Sequence, residues 1–148
     1  MSTIQLRFVT CKDPLSEAIR WAEDFWASHV EAVVSGGYLG AHADGGVMIR
    51  PVGYDSATLL REEFVDIAVD PVTAAKWELW LRGKIGTPYD FSAILGIVVR
   101  AELGERGHVI CSALQTEALV VNLPVTDFPL ESAEISPRDL RLFLAGRK

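Results

Sequence analysis

Cys111 is the residue of this chain best placed to act as a nucleophile. It follows the strand-like pair Val109-Ile110 and opens a helical stretch that runs to about Leu123. A thiol at a helix start faces unpaired backbone N–H groups and the positive end of the helix dipole, and both favour the thiolate. The same N–H groups can hold the oxyanion of a tetrahedral intermediate. A cysteine at such a position can also pack as a small apolar side chain, and position alone does not choose between the two.

A nucleophilic thiol needs a base, and the chain has three histidines: His29, His42 and His108. His29 and His42 lie on the two arms of an expected hairpin around Ser35-Gly36-Gly37. With Gly36-Gly37 as the turn, Ser35 faces Tyr38, Glu31 faces His42, and His29 faces Asp44. All four polar side chains then share one face of the ribbon, because strand neighbours alternate. The other face, Val30, Ala32, Val34, Leu39 and Ala41, is apolar. On an ordinary hairpin the polar face is solvated. As chemistry, it offers a base together with carboxylates able to orient it.

Metal chemistry is the competing use of these residues. His108-Val-Ile-Cys111 has ligand-like spacing, but no second paired motif exists and HExxH is absent. No metal and no cofactor are expected. His108 reads as a loop residue, and Cys11, at the end of a strand, reads as a bystander thiol. Phosphate-loop and dinucleotide signatures are absent, since Gly36-Gly37 and Gly45-Gly46 lie between strands.

The surrounding elements follow from pattern. Ile4, Leu6 and Phe8 alternate as a strand ending near Thr10. Asp13-Pro14 opens a helix expected to reach Phe25, and Asp70-Pro71 opens one to Arg82. Strands are expected over 28–34, 38–43, 47–52 and 64–69. Further helices are expected over 91–103, 111–123 and 137–145, with a long loop over 124–134. Strands and helices are mixed without strict alternation, which is an α+β pattern.

Composition bounds the function. The chain has 148 residues, enough for one domain that folds without disulfides or metals. Fourteen Lys+Arg against twenty Asp+Glu leave a net charge of -6, which argues against a nucleic-acid binder. Two cysteines cannot build a disulfide framework. No signal pattern and no membrane-spanning run appears, so a cytoplasmic protein is expected. Mean hydropathy is +0.22, and with four tryptophans in expected helices it allows an apolar interface and a homodimer.

The order of the pieces resembles a family. Ser28-His29-Val30-Glu31 opens a strand, and Gly45-Gly46-Val47 follows the hairpin. Gly86-Thr87-Pro88-Tyr89-Asp90 precedes a helix, and Cys111-Ser112-Ala113-Leu114 opens another. This is similar to the circularly permuted papain-like group (YiiX-like), related to NlpC-type cell-wall peptidases and to lecithin:retinol acyltransferase. There the histidine strand precedes the nucleophile helix.

The resemblance implies one permuted papain-like domain over 1–148, with a central antiparallel sheet or small barrel packed on helices. It makes Cys111 the nucleophile, His29 its base, and Tyr89 a cleft residue able to assist the oxyanion. The third polar member departs from the pattern, because Gly40 stands near its place. Glu31 is the first substitute, then His42, then Asp44. The implied activity is that of a cysteine peptidase, amidase or acyltransferase-like hydrolase acting on a peptide, amide or acyl ester. The alternative is a silent binding or structural module, phage-associated in one version, and a phage-related export route would bypass a signal peptide.

Overall fold

The computed structural model describes residues 1–92, 110–123 and 135–146. Its centre is a five-stranded antiparallel sheet in the order β4-β3-β2-β1-β5. The strands are β1 (Ser2–Cys11), β2 (His29–Val34), β3 (Gly37–His42), β4 (Gly46–Arg50) and β5 (Leu59–Val69). Four helices are described: α1 (Pro14–Glu23), α2 (Pro71–Arg82), α3 (Cys111–Asn122) and α4 (Pro137–Ala145). The architecture is α+β, and the sheet is not closed into a barrel among the described residues. His108, most of the expected 91–103 helix and the 124–134 loop lie outside the described residues.

One face of the sheet carries the core. Ile4, Leu6, Phe8, Val30, Ala32, Leu39 and Ala41 are buried there. They cluster with Trp77 and Leu81 of α2, Leu114, Ala118 and Leu119 of α3, and Leu140 of α4. Helix α3 packs against β2 and β3, and Gln115 Nε2 donates to the Leu39 carbonyl at 3.0 Å, pinning the helix to the sheet. None of the described helices is long and apolar enough to cross a membrane.

The caps fall where the sequence places them. Asp13 accepts from the Ser16 N–H, Asp70 from Val72 and Thr73, and Ser136 closes a capping box with Asp139. Helix α1 stops at Glu23 rather than Phe25, because Asp24 adopts the left-handed conformation, φ 46°. Strand β5 starts five residues earlier than expected. Its first half, Leu59-Leu60-Arg61-Glu62-Glu63, is too charged to read as a strand. A long ladder to β1, from Cys11↔Leu59 to Ser2↔Val69 with one bulge between Thr10 and Cys11, holds it.

The hairpin register is two residues away from the expected one. The pairs are Ala32↔Leu39, Val33↔Tyr38 and Val34↔Gly37, so Ser35-Gly36 is the turn. Continuing this count sets His29 opposite His42 and Glu31 opposite Gly40. A shift of two restores the same face, so the grouping of polar side chains survives even though the partners change.

Strand β4 also holds the segment bearing Tyr89. Val47 N–H donates to the Thr87 carbonyl, and Gly86 N–H donates to that of Val47, both at 2.9 Å. Gly46 permits this approach. Its φ is +73°, and a Cβ there would lie 2.2 Å from the Thr87 carbonyl oxygen. Gly46→Ala therefore combines left-handed strain with a backbone clash and should cost about 1–3 kcal/mol in urea unfolding. Gly36→Ala, at φ +96° in open space, should cost about 1 kcal/mol. Equal midpoint shifts for the two variants would show that the Thr87 contact carries no weight.

Candidate functional site

The site forms where the first turn of α3 meets the start of β2. Cys111 is the first residue of α3, and Ile110, at the N-cap, supplies no capping side chain. The helix-start N–H groups are thus left for the thiol. The His29 ring and the backbone N–H groups of Val30 and Ser112 all act on the sulfur. Burial opposes the thiolate. The charge and hydrogen bond of His29, with the two N–H groups, outweigh burial and bring the Cys111 thiol below its ordinary range. Burial likewise opposes the His29 imidazolium, but the Cys111 thiolate and Glu31 raise its pKa to about 10. Each group thus favours the charged form of the other.

Behind His29 stands Glu31, fully buried. His29 Nε2 and His42 Nε2 each lie 3.3 Å from Glu31 Oε1. Tyr54 Oη donates to the same oxygen at 2.7 Å. Burial pushes the Glu31 carboxyl up, but His29 and Tyr54 reverse this and hold it down at about 2. His42 takes the opposite course. Burial and the neighbouring His29 charge lower it to about 3, so it stays neutral. The two imidazole rings sit 4.9 Å apart.

The expectation of a solvated polar face is corrected at this point. Arg7, at the centre of β1, covers that face and is 1% exposed. Its guanidinium reaches Glu31 Oε2 at 2.9 Å, Asp55 Oδ2 at 2.9 Å and Glu62 Oε2 at 2.6 Å. The Tyr38 ring lies 4.4 Å beneath it. Arg7 thus neutralises the buried Glu31 and fixes which carboxylate oxygen faces the histidines. Sequence reasoning missed Arg7, Tyr54 and Asp55. Arg7 carried a readable signal, a charge inside the apolar run Ile4, Leu6, Phe8, Val9. Tyr54 carried none, because it lies in a turn far from β2 in sequence.

The other candidates separate clearly. Gly40 leaves room for the pair: a Cβ there would stand 3.1 Å from Glu31 Cγ and 3.5 Å from His29 Nε2. Glu31 and His29 thus fill the space that a side chain at position 40 would take. Asp44 is mostly exposed and pairs with Arg50. Tyr89 is buried beside the thiol, and burial and the Cys111 charge keep its phenol protonated. His29, His42, Tyr54 and Tyr89 line a cavity of about 430 Å³. Cys11 lines it too, with its sulfur 3.6 Å from Asp55 Oδ2. Burial and Asp55 raise its thiol, so it lacks the nucleophilic character of Cys111.

Two outcomes follow. In a Cys11→Ser variant, the ultraviolet absorbance of the thiolate should persist well below pH 8.5, the ordinary cysteine midpoint of about that value. A midpoint at or above it would show that His29 does not hold the charge. Arg7→Leu should lower stability by about 3–5 kcal/mol in urea unfolding, because Glu31 and Asp55 lose their buried counter-charge. A loss below about 1 kcal/mol would mean that those carboxylates are solvated.

Neither a family model nor a curated protein matches the chain. Among solved structures, the chain is similar to the metalloprotein YiiX (DUF1105) of Escherichia coli O157:H7. The TM-score is 0.60 at 18% identity, over 82% of this chain and 66% of YiiX. The chain therefore spans just under two thirds of YiiX's length. At this identity the likeness establishes a shared fold.

Proposed function

We propose that the protein is a thiol hydrolase that acts on a peptide, amide or acyl ester through a Cys111 acyl-enzyme, on a permuted papain-like fold. The observation that carries the reading is the chain of contacts from Cys111 to His29 to Glu31. A thiol, a base and an orienting carboxylate are joined in the order that nucleophilic catalysis requires. The fold shared with YiiX is compatible with this reading.

The steps use this chain's own groups. The Cys111 thiolate attacks the carbonyl carbon, forming the S–C bond as the carbonyl π electrons move to oxygen. The helix-start N–H groups and the Tyr89 phenol stabilise that oxyanion. As the intermediate collapses, the C–N or C–O bond breaks and His29 gives its proton to the leaving group. Water then attacks the thioester while His29 takes its proton, and the thiolate is expelled. Glu31 keeps the ring oriented and its charge balanced throughout.

One observation favours a second reading, a silent binding module: Cys111 is only 2% exposed. Covalent labelling separates the two. A thiol-directed acyl probe should label the wild type at Cys111. Labelling should vanish in Cys111→Ala and fall about 10²-fold or more in His29→Ala, the scale of general acid–base contributions. Equal labelling of wild type and Cys111→Ala would overturn the hydrolase reading, and no labelling of a folded wild type would favour the module.

A further inference from the structure

The same cluster has a second capacity that thiol chemistry does not use. His29, Glu31 and His42 bring one ligand atom each to within 4.8 Å of one another. Both Nε2 atoms are buried and have no well-formed hydrogen bond. Each is 3.3 Å from Glu31 Oε1. That separation is the edge of a tetrahedron whose metal–ligand bonds are about 2.0–2.1 Å, the lengths of zinc bonds to imidazole nitrogen and carboxylate oxygen. His42 is 6% exposed, so its idle nitrogen lies inside the protein, where an unmet polar atom is costly.

The electrostatics suit a cation. Arg7 pairs with three carboxylates, Glu31, Asp55 and Glu62, and the second guanidinium nearby, Arg50, is paired with Asp44. Arg7 occupies Glu31 Oε2, and Tyr54 takes one lone pair of Oε1, so Oε1 keeps one for a metal. His42 is not needed for the attack or for the proton transfers at Cys111.

We propose that His29, Glu31 and His42 form a binding site for a borderline divalent cation of the zinc class, and that the cation switches the thiol site off. Two imidazoles and one carboxylate select zinc-like ions over calcium and magnesium, which prefer oxygen ligands. A metal takes the lone pair of Nε2, so that nitrogen holds no proton while the metal is bound. His29 is then unable to cycle a proton with the leaving group or water. The site stands on the geometry alone, whereas its effect on turnover rests on the hydrolase reading.

Zinc titration by calorimetry on the full chain tests the site without reference to activity. One zinc per chain is expected in wild type, Cys111→Ala and Cys11→Ser alike, with binding at least tenfold weaker in His42→Ala and in Glu31→Gln. If Glu31→Gln does not fold, His42→Ala and His42→Gln decide. Unchanged binding in a folded His42→Ala variant, or loss of binding in Cys111→Ala, would overturn the site. Zinc should also suppress acyl-probe labelling of the wild type, and a chelator should restore it. Labelling that is unaffected at saturating zinc would overturn the switch while leaving the hydrolase reading in place.

Discussion

A single buried carboxylate organises this molecule. Glu31 has no solvent exposure, yet it holds a full negative charge because Arg7, Tyr54, His29 and His42 all face it. Burying such a charge unpaired costs several kcal/mol, so its partners are constrained with it. Arg7 must come from β1, the two histidines from β2 and β3, and Tyr54 from the turn after β4. The sheet order places all of these around one point. The site and the fold therefore share their polar contacts.

This constraint also explains the division of labour between the two histidines. They share a carboxylate oxygen, and both cannot be charged at 4.9 Å separation in a buried site. His29 also faces the Cys111 sulfur, and negative charge there favours the proton on that ring. His42 lacks such a partner and remains neutral. The asymmetry arises from the helix, since it is α3 that delivers the thiol to one histidine and not to the other.

Much of the candidate site was legible in sequence. Cys111, His29, Glu31, His42 and Tyr89 are brought together, and the apolar side of the hairpin lies in the core as its alternation implied. The period of two made the grouping robust: an error of two in register changed every partner but no face. Along the chain, by contrast, Glu31 and His42 form no recognisable metal-ligand motif. Their approach across strands belongs to sheet pairing, which short-range spacing does not encode.

The sequence by itself determined the element types, the caps at Asp13, Asp70 and Ser136, and the face on which His29 and Glu31 stand. These depend on neighbours a few residues away, where propensity and periodicity act. Only the tertiary structure decided that the face would be buried, that Arg7 would close over it, and that Tyr54 and Gly40 would shape the space around Glu31. Those outcomes depend on contacts between residues as far apart as Arg7 and Asp55. The balance of desolvation against charge pairing that sets each proton exists only once those contacts have formed.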